Sequence, residues 1–226
     1  MAVFGSLLFV VGCGKKEEPR PAVEQSSETS PTPASSGPAA GTKVVYLNGR
    51  SVMQNWMNHW GWEGEGTHDK NGYTFDYREL GFSELEDLSG SFAQNTQGLP
   101  ADSVVFFKFC FADFSGDNLA RLEAIIDKVA QTAGERGFKL IVGNTLPVRK
   151  QEGSPQMLKE YTAYNAWLQN KADTSGFTVF DEYSVLAGPD GFLNPSYPTE
   201  DSHPNGAAYD ALDVKFFALL NNVFSK

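Results

Sequence analysis

The sequence predicts an α/β domain with a mostly parallel sheet. Strand-length runs of β-branched and aromatic residues alternate along the chain with amphipathic segments of helix length, which is the pattern of βαβ units. One of these runs, residues 103–111, is almost continuously apolar, as in a central strand that is buried on both faces. Ligands of such sheets bind beyond the carboxyl ends of the strands, so polar residues that follow predicted strands are the candidates for a site.

The N-terminal segment is predicted to lie outside this domain. Residues 1–13 resemble a bacterial lipoprotein signal, because a short apolar run ends in a small residue before Cys13, although no Lys or Arg precedes the run. The resemblance implies that Cys13 is lipidated and that the protein is anchored to a membrane of the cell envelope. Residues 14–42 are rich in Pro, Ser, Glu, Ala and Gly and predict a disordered tether, which leaves residues 43–226 as the folded domain.

Composition narrows the classes of partner. A hydrophobic content of 41% favours a packed globule, and a formal net charge of −10 argues against nucleic acid as a partner. With Cys13 assigned to the anchor, Cys110 has no cysteine to pair with and is predicted to be a small buried residue. The alternative role, a catalytic thiol, requires an exposed and electropositive setting.

The first strand and helix of the domain place a serine between them. Residues 44–47 form a β-branched and aromatic run that ends at the turn signal Asn48-Gly49, and apolar residues at helical spacing then predict a helix over residues 51–60. Ser51 therefore lies at a strand–turn–helix junction, where its hydroxyl can face solvent and helix N–H groups favour negative charge. The alternative is that Ser51 only caps the helix, and the two roles are compatible.

The remaining elements continue the alternation. Residues 61–81 are rich in glycine and aromatic residues and predict an excursion over the sheet edge that holds one short strand. The patterns beyond it predict one helix or two at 82–94, further helices at 119–136, 155–171 and 207–223, and strands at 103–111, 139–142 and 177–180. His59 and His68 have no His or Cys partners at metal-ligand spacing, so no metal site is predicted.

A second polar stretch, Glu200-Asp201-Ser202-His203-Pro204-Asn205, precedes the last predicted helix. Imidazole titrates near neutrality, so a positioned histidine can take and return a proton during turnover. The turn-forming residues around His203 predict a tight loop, and Ser51, Asp113 and Asn144 follow predicted strands, so the four could converge on one rim of the sheet. The alternative for His203 is an ordinary surface-loop histidine.

From residue 43 onward the chain resembles the SGNH (GDSL-like) hydrolases, and a divergent bacterial branch of that group in particular. The resemblance is carried by Gly49-Arg50-Ser51-Val52, Lys108-Phe109-Cys110-Phe111-Ala112-Asp113, Asn144-Thr145-Leu146-Pro147 and residues 197–205. It implies a three-layer α/β/α, flavodoxin-like fold and ester cleavage by a Ser-His-Asp triad without a cofactor. Ser51 would be the nucleophile, His203 the general base, and Glu200 the orienting acid, with Asp201 as its rival.

The chain departs from the family pattern at several positions. Gly-Arg-Ser replaces Gly-Asp-Ser, and the asparagine of Gly-x-Asn-Asp, which helps to form the oxyanion hole, has no clear match in residues 110–113. The resemblance then implies an oxyanion hole made of the backbone N–H groups of Ser51 and Gly49, with Asn144 as a further candidate. Arg50 is expected to face solvent; the alternative is that it binds an anionic group of the substrate.

The predicted function is an envelope-tethered serine esterase or O-acyl hydrolase that acts on a small ester or an acylated glycan. Four aromatic residues would suit sugar stacking, although membership of a core cluster is the commoner role of such residues: Trp56, Trp60, Trp62 and Tyr73. The alternatives are a non-catalytic carbohydrate-binding or assembly lipoprotein on the same fold, and an acyltransferase.

Overall fold

The computed structural model describes residues 42–81 and 84–226 and confirms the predicted α/β class. Its strands are β1 (Val44–Gly49), β2 (Gly66–Lys70), β3 (Tyr73–Glu79), β4 (Val104–Phe107), β5 (Lys139–Gly143) and β6 (Thr178–Phe180). They form one sheet in the order β2-β3-β1-β4-β5-β6, in which β2 is antiparallel to β3 and every other pair is parallel.

The helices cover both faces of this sheet. They are α1 (Ser51–His59), α2 (Leu88–Asn95), α3 (Leu119–Arg136), α4 (Pro155–Ser175), the single turn α5 (Tyr183–Leu186) and α6 (Gly206–Phe224). Side chains of α1 and α6 pack in one apolar cluster, and those of α2, α3 and α4 pack in another. The three-layer arrangement is thereby confirmed.

Strand β4 shows why the sheet is the middle layer. Val104 and Phe106 belong to the cluster beneath α1 and α6, whereas Val105 and Phe107 belong to the cluster beneath α2, α3 and α4. Successive side chains of a strand point to opposite faces, so a strand that is apolar throughout must be covered on both sides. None of the helices within residues 42–81 and 84–226 is long and apolar enough to cross a membrane.

Two of the predicted elements need correction. Residues 61–81 hold two strands rather than one, and β3 lies inside the sheet, parallel to β1, instead of at an excursion over its edge. The strand predicted over residues 103–111 ends at Phe107, because Phe111–Asp113 form a 3-10 turn. The Asp113 carboxylate caps this turn by accepting the Cys110 N–H at 2.7 Å.

The parallel strands direct their carboxyl ends to one rim, and this rim carries the candidate site. Ser51 follows β1, the 3-10 turn follows β4, and Asn144 follows β5. Residues 1–41, which include Cys13, lie outside the described residues, so the signal, the anchor and the tether remain predictions.

Candidate active site

Ser51 is the first residue of α1, and the close approach of this helix to β1 explains the glycine two residues earlier. A Cβ atom on Gly49 would lie 2.7 Å from Cβ of Met53, which is closer than real Cβ atoms approach one another. Arg50 keeps an extended backbone, with φ −111°, before the chain turns into the helix. The half-buried Ser51 side chain therefore starts from a fixed point at the rim.

The structure brings His203 to Ser51 across 152 positions of sequence. His203 Nε2 lies 3.1 Å from Ser51 Oγ, and His203 Nδ1 lies 2.8 Å from Asp201 Oδ1. An ionised carboxylate can only accept, so in this arrangement Nδ1 carries the ring proton and Nε2 is free to accept the serine proton. The predicted contact between Ser51 and His203 is present.

The acid beside the imidazole is Asp201, the rival, and the geometry offers no support for Glu200. Asp201 Oδ1 accepts the backbone N–H of His203, two residues on, at 2.9 Å, which closes an Asx turn and brings Nδ1 of the same residue to the same oxygen. Glu200 lies one residue earlier, outside that short ring. The His203 N–H, helped by the imidazole, lowers the pKa of Asp201 below its usual value.

The histidine loop, residues 196–205, is closed by its own backbone. Thr199 N donates to His203 O at 3.0 Å, and Asn205 N donates to Tyr197 O at 2.7 Å. Ser202 turns inward: its hydroxyl donates to Glu152 and accepts the Arg149 N–H at 3.0 Å. The loop is thus tied to the segment before α4 by the residue that lies between Asp201 and His203.

The 110–113 turn, which is Cys110 together with the 3-10 turn that follows it, lies against both members of the pair. Cys110 Sγ is 3.7 Å from Ser51 Oγ, and the Phe111 ring packs edge-on against His203 with centroids 5.0 Å apart. Cys110 is buried as predicted. Sequence reasoning missed its contact with Ser51, although its position three residues beyond β4, at the carboxyl end of the strand, was a usable signal.

Arg50 does not face solvent, so that expectation is wrong. Its guanidinium forms an ion pair with Asp113 in which the two side chains are 13% and 4% exposed, and its Nε donates to Gly81 O at 2.9 Å. Burial raises the pKa of Asp113, against the lowering effects of the Cys110 N–H and of Arg50. The guanidinium is committed to the protein, which also argues against the anion-binding alternative.

Two of the expected oxyanion donors make other contacts, which occupy the Gly49 N–H and orient the Asn144 amide towards the loop after β6. Asn144 donates to Asp181 at 2.7 Å through Nδ2 and accepts the Tyr183 N–H at 2.8 Å through Oδ1, so both ends of its amide hold the loop after β6. Gly49 O accepts the Leu80 N–H from the β3 side at 2.9 Å, and the N–H of a strand residue points to the same side as its C=O. The Ser51 N–H remains, because the first N–H groups of a helix have no acceptor within it.

Two ionisable side chains, Lys108 and Glu182, lie buried at the same rim. Lys108 and Glu182 are 1% and 0% exposed, and a Cβ on Gly143 would lie 2.6 Å from a Glu182 carboxylate oxygen. In the described part of the chain, neither oxygen of Glu182 has a hydrogen-bond partner. Burial raises the pKa of Glu182 to about 7, although Lys108 opposes the shift.

The aromatic residues considered for sugar stacking belong to the core. Trp56 and Tyr73 are buried, and Trp60 and Trp62 pack against the same cluster while partly exposed. Trp60 also donates to Asp213 from its indole N–H at 2.9 Å. Within residues 42–81 and 84–226, no group of three or more His, Cys, Asp or Glu side chains is placed to hold a metal.

Comparison with solved structures places this fold among lipolytic and esterase proteins. A Bacteroides fragilis protein described as an acylhydrolase is 21% identical, with a TM-score of 0.65 over 82% of this chain and 89% of that one. A GDSL-like lipase from Bacteroides thetaiotaomicron is 16% identical, with a TM-score of 0.63 over 83% and 92%. A Geobacillus acetyl-xylooligosaccharide esterase, solved as a mutant, is 12% identical, with a TM-score of 0.59 over 79% and 94%.

These likenesses show the fold and not the reaction, since fold alone does not establish function. No family model matches the sequence, and no curated protein matches it. The resemblance to SGNH hydrolases is thus shown only for the fold, and it is shown by the matches to solved structures. The chemistry depends on the side chains at the rim.

Proposed function

We propose that this protein is a serine ester hydrolase in which Ser51 is the nucleophile, His203 the general base and Asp201 the orienting acid. The observation that carries the proposal is the continuous chain from Asp201 Oδ1 to His203 Nδ1, at 2.8 Å, and from His203 Nε2 to Ser51 Oγ, at 3.1 Å. Both distances are within hydrogen-bond reach, as a base and its nucleophile require. This arrangement supports acyl transfer.

In the first half-reaction, Ser51 Oγ bonds to the ester carbonyl carbon while its proton passes to His203 Nε2. Asp201 stabilises the resulting imidazolium through the Nδ1–H bond. The tetrahedral oxyanion would lie against the Ser51 N–H at the start of α1. Its collapse breaks the bond to the alcohol oxygen, which takes the proton from Nε2 and leaves an acyl group on Ser51.

In the second half-reaction, water bonds to the acyl carbon and gives a proton to Nε2. Collapse then breaks the bond to Ser51 Oγ, which recovers that proton, and releases the acid. Because Asn144 and Gly49 are committed elsewhere, the oxyanion has fewer donors than the resemblance implied. The loss of one such donor typically costs on the order of a hundredfold or more in rate, so slow turnover of simple esters is expected.

The proposed substrate is a small ester, and the class to test first is acylated glycan. An acetyl-xylooligosaccharide esterase and a lipase are both among the structural neighbours, so the fold accommodates either kind of ester. The proposed location, anchored to the cell envelope through Cys13, rests on the sequence of residues 1–13 alone. Mass spectrometry of the mature protein from its host is the direct check of that anchor.

The test of the proposed activity uses a fluorophosphonate probe together with an ester such as p-nitrophenyl acetate. The probe should label the wild type, with the adduct mapped to Ser51, and Ser51→Ala and His203→Ala should each abolish hydrolysis. The double variant should be no slower than either single variant, because nucleophile and base act as a unit.

A protein that turns over no acyl ester and resists the probe at Ser51 would instead favour the non-catalytic binding protein. The commitment of Asn144 and Gly49 to other contacts is the observation that favours this second candidate. An acyltransferase would label at Ser51 but would release less free acid when a sugar alcohol is added, so product analysis separates it from a hydrolase.

A further inference from the structure

Arg50 and Asp113 form an ion pair directly behind the nucleophile. Arg50 precedes Ser51 in the chain, and its side chain reaches both Asp113 and the carbonyl oxygen of Gly81. It therefore joins three loops at the rim, those that follow β1, β3 and β4. An exposed ion pair would contribute little to stability, but this one is largely removed from water. Both of its members also make hydrogen bonds to the backbone, Arg50 to Gly81 and Asp113 to Cys110.

The other carboxylate oxygen of Asp113 continues the connection. It accepts the Cys110 N–H at 2.7 Å, and the Cys110 side chain in turn accepts the N–H of Asp113. Cys110 Sγ then lies 3.7 Å from Ser51 Oγ. Since Ser51 is bonded to Arg50, these contacts close a ring through Arg50, Asp113, Cys110 and Ser51.

The same turn also limits the movement of the base. Phe111, between Cys110 and Asp113, packs edge-on against the His203 ring. The 110–113 turn is therefore in contact with both the nucleophile and the base, and its own position is fixed by the guanidinium of Arg50. A change in that ion pair would reach both reacting groups through one rigid piece of backbone.

We propose that Arg50 and Asp113 are positioning residues, which hold the 110–113 turn against Ser51 and His203 in the geometry that acyl transfer requires. This inference rests on the proposed function, because the geometry matters only if the pair reacts. It assigns a role to two departures from the family pattern at once: the arginine before the nucleophile and the 110–113 segment are physical partners.

The variants are Arg50→Lys and Asp113→Asn, both in a Cys13→Ser background of the full chain. Lysine keeps the charge but cannot serve Asp113 and Gly81 with a fixed fork, and asparagine keeps the shape of Asp113 without its charge. We expect kcat per folded molecule to fall roughly ten- to a hundredfold, with KM almost unchanged. A substitution far from the reacting atoms that misplaces them by about 1 Å can cost that much in rate.

The matched control is Arg136→Lys. Arg136 Nη1 donates to Ala93 O and to Thr96 Oγ1, both at 2.7 Å. Arg136 is the last residue of α3, just before β5 begins, so it lies at the rim opposite the candidate site. Arg136→Lys likewise replaces a guanidinium that bonds two other residues, but it leaves the 110–113 turn untouched. Thermal unfolding of each variant corrects kcat for the folded fraction.

A second measurement does not depend on esterase activity. In the Cys13→Ser background Cys110 is the one remaining thiol, and its rate of alkylation by iodoacetamide reports how often the turn opens. Arg50→Lys and Asp113→Asn should raise that rate at least several-fold, whereas Arg136→Lys should leave it unchanged.

The inference would be overturned if Arg50→Lys and Asp113→Asn changed neither kcat nor the alkylation rate of Cys110. It would also be overturned if Arg136→Lys changed both quantities as much as they do. A wild type that hydrolyses no ester would refute the proposed function separately. In that case the alkylation rates alone decide whether Arg50 and Asp113 hold the turn, and equal rates in all variants reject the inference.

Discussion

The proposed nucleophile, Ser51, and the proposed base, His203, are held in place by contacts that differ in the sequence separation of their partners. On the nucleophile side, Arg50 and Asp113 are 63 positions apart in sequence, and Ser51 and Cys110 are 59 apart. On the base side, the hydrogen bonds that close the histidine loop on itself join residues that are between two and nine positions apart. The Arg50 and Asp113 side chains are 13% and 4% exposed, whereas the Asp201 side chain beside the imidazole is 55% exposed.

This difference has a consequence for how each side responds to mutation. A short loop closed by its own hydrogen bonds can keep its shape when one exposed side chain is removed, so changes there should affect chemistry more than folding. The buried ion pair of Arg50 and Asp113 requires the loops after β1, β3 and β4 to be in place, and removing one partner leaves the other charge unpaired. Changes on the nucleophile side should therefore affect folding and chemistry together.

The largest effect is expected at Asp201, the exposed carboxylate that contacts the imidazole of His203. Asp201→Ala should lower kcat roughly ten-thousandfold, because the imidazole loses the group that fixes its tautomer and the charge that stabilises its protonated form. Thermal stability should change little, since Asp201 is largely exposed. Ester hydrolysis and a melting curve on the same preparation measure both quantities.

Glu200→Ala is the matched control for that comparison, because it removes the neighbouring carboxylate. Within the described residues Glu200 makes no hydrogen bond to His203, so its removal should leave kcat unchanged. A larger loss from Glu200→Ala than from Asp201→Ala would show that the Asx turn is not the working geometry.

An intermediate effect is expected at Glu182, the fully buried carboxylate of the rim. Glu182 has a folded-state pKa of about 7 against an ordinary value of 4.5, so the unfolded chain releases this proton first as pH rises. Stability is therefore unaffected below about pH 4.5, falls between pH 4.5 and 7, and stays lowered above pH 7. Glu182→Gln should thus be more stable than the wild type above pH 7, by at most on the order of 3 kcal/mol.

Denaturant unfolding at pH 4.5 and pH 8 measures this difference, which should nearly vanish at the lower pH. Glu160→Gln is the control, since Glu160 is also buried but accepts the N–H groups of Gly116 and Asn118, each at 2.7 Å. That variant should be destabilised. A Glu182→Gln variant that is equally destabilised at pH 8 would mean that Glu182 has partners in solution.

The smallest effect is expected at the tie between the histidine loop and the rest of the domain. Ser202→Ala removes the hydroxyl that contacts Glu152 and the Arg149 N–H, and should cost about 1–2 kcal/mol of stability with a loss of activity well below that of Asp201→Ala. Chemical denaturation and ester hydrolysis are the measurements.

Ser196→Ala is the control within the same loop, because among the described residues the Ser196 hydroxyl hydrogen-bonds only Asn194, at 2.9 Å, near the surface. Its effect should stay within about 0.5 kcal/mol. If Ser202→Ala lowered activity as much as Asp201→Ala, the loop would depend on its distant anchor, and the contrast between the two sides would fail.

The features that could be predicted from the sequence are those set by neighbouring residues. Alternating apolar runs gave the α/β class, and the turn signal at Asn48-Gly49 placed Ser51 at the start of a helix. The carboxylates beside His203 marked the base, because an Asx turn involves residues only two apart. The choice between Glu200 and Asp201 depended on which carboxylate closes that turn.

The tertiary structure decided the contacts on the buried side. Strand order determines three of these contacts: the ion pair of Arg50, the approach of Cys110 to Ser51, and the hydrogen bonds of Asn144. It also places β3 inside the sheet, although its segment was expected at the edge. Strand order sets which residues 60 positions apart can meet, and local propensity carries no information about it. For that reason the sequence indicated His203 and two candidate acids beside it, but left the surroundings of Ser51 to be found in the fold.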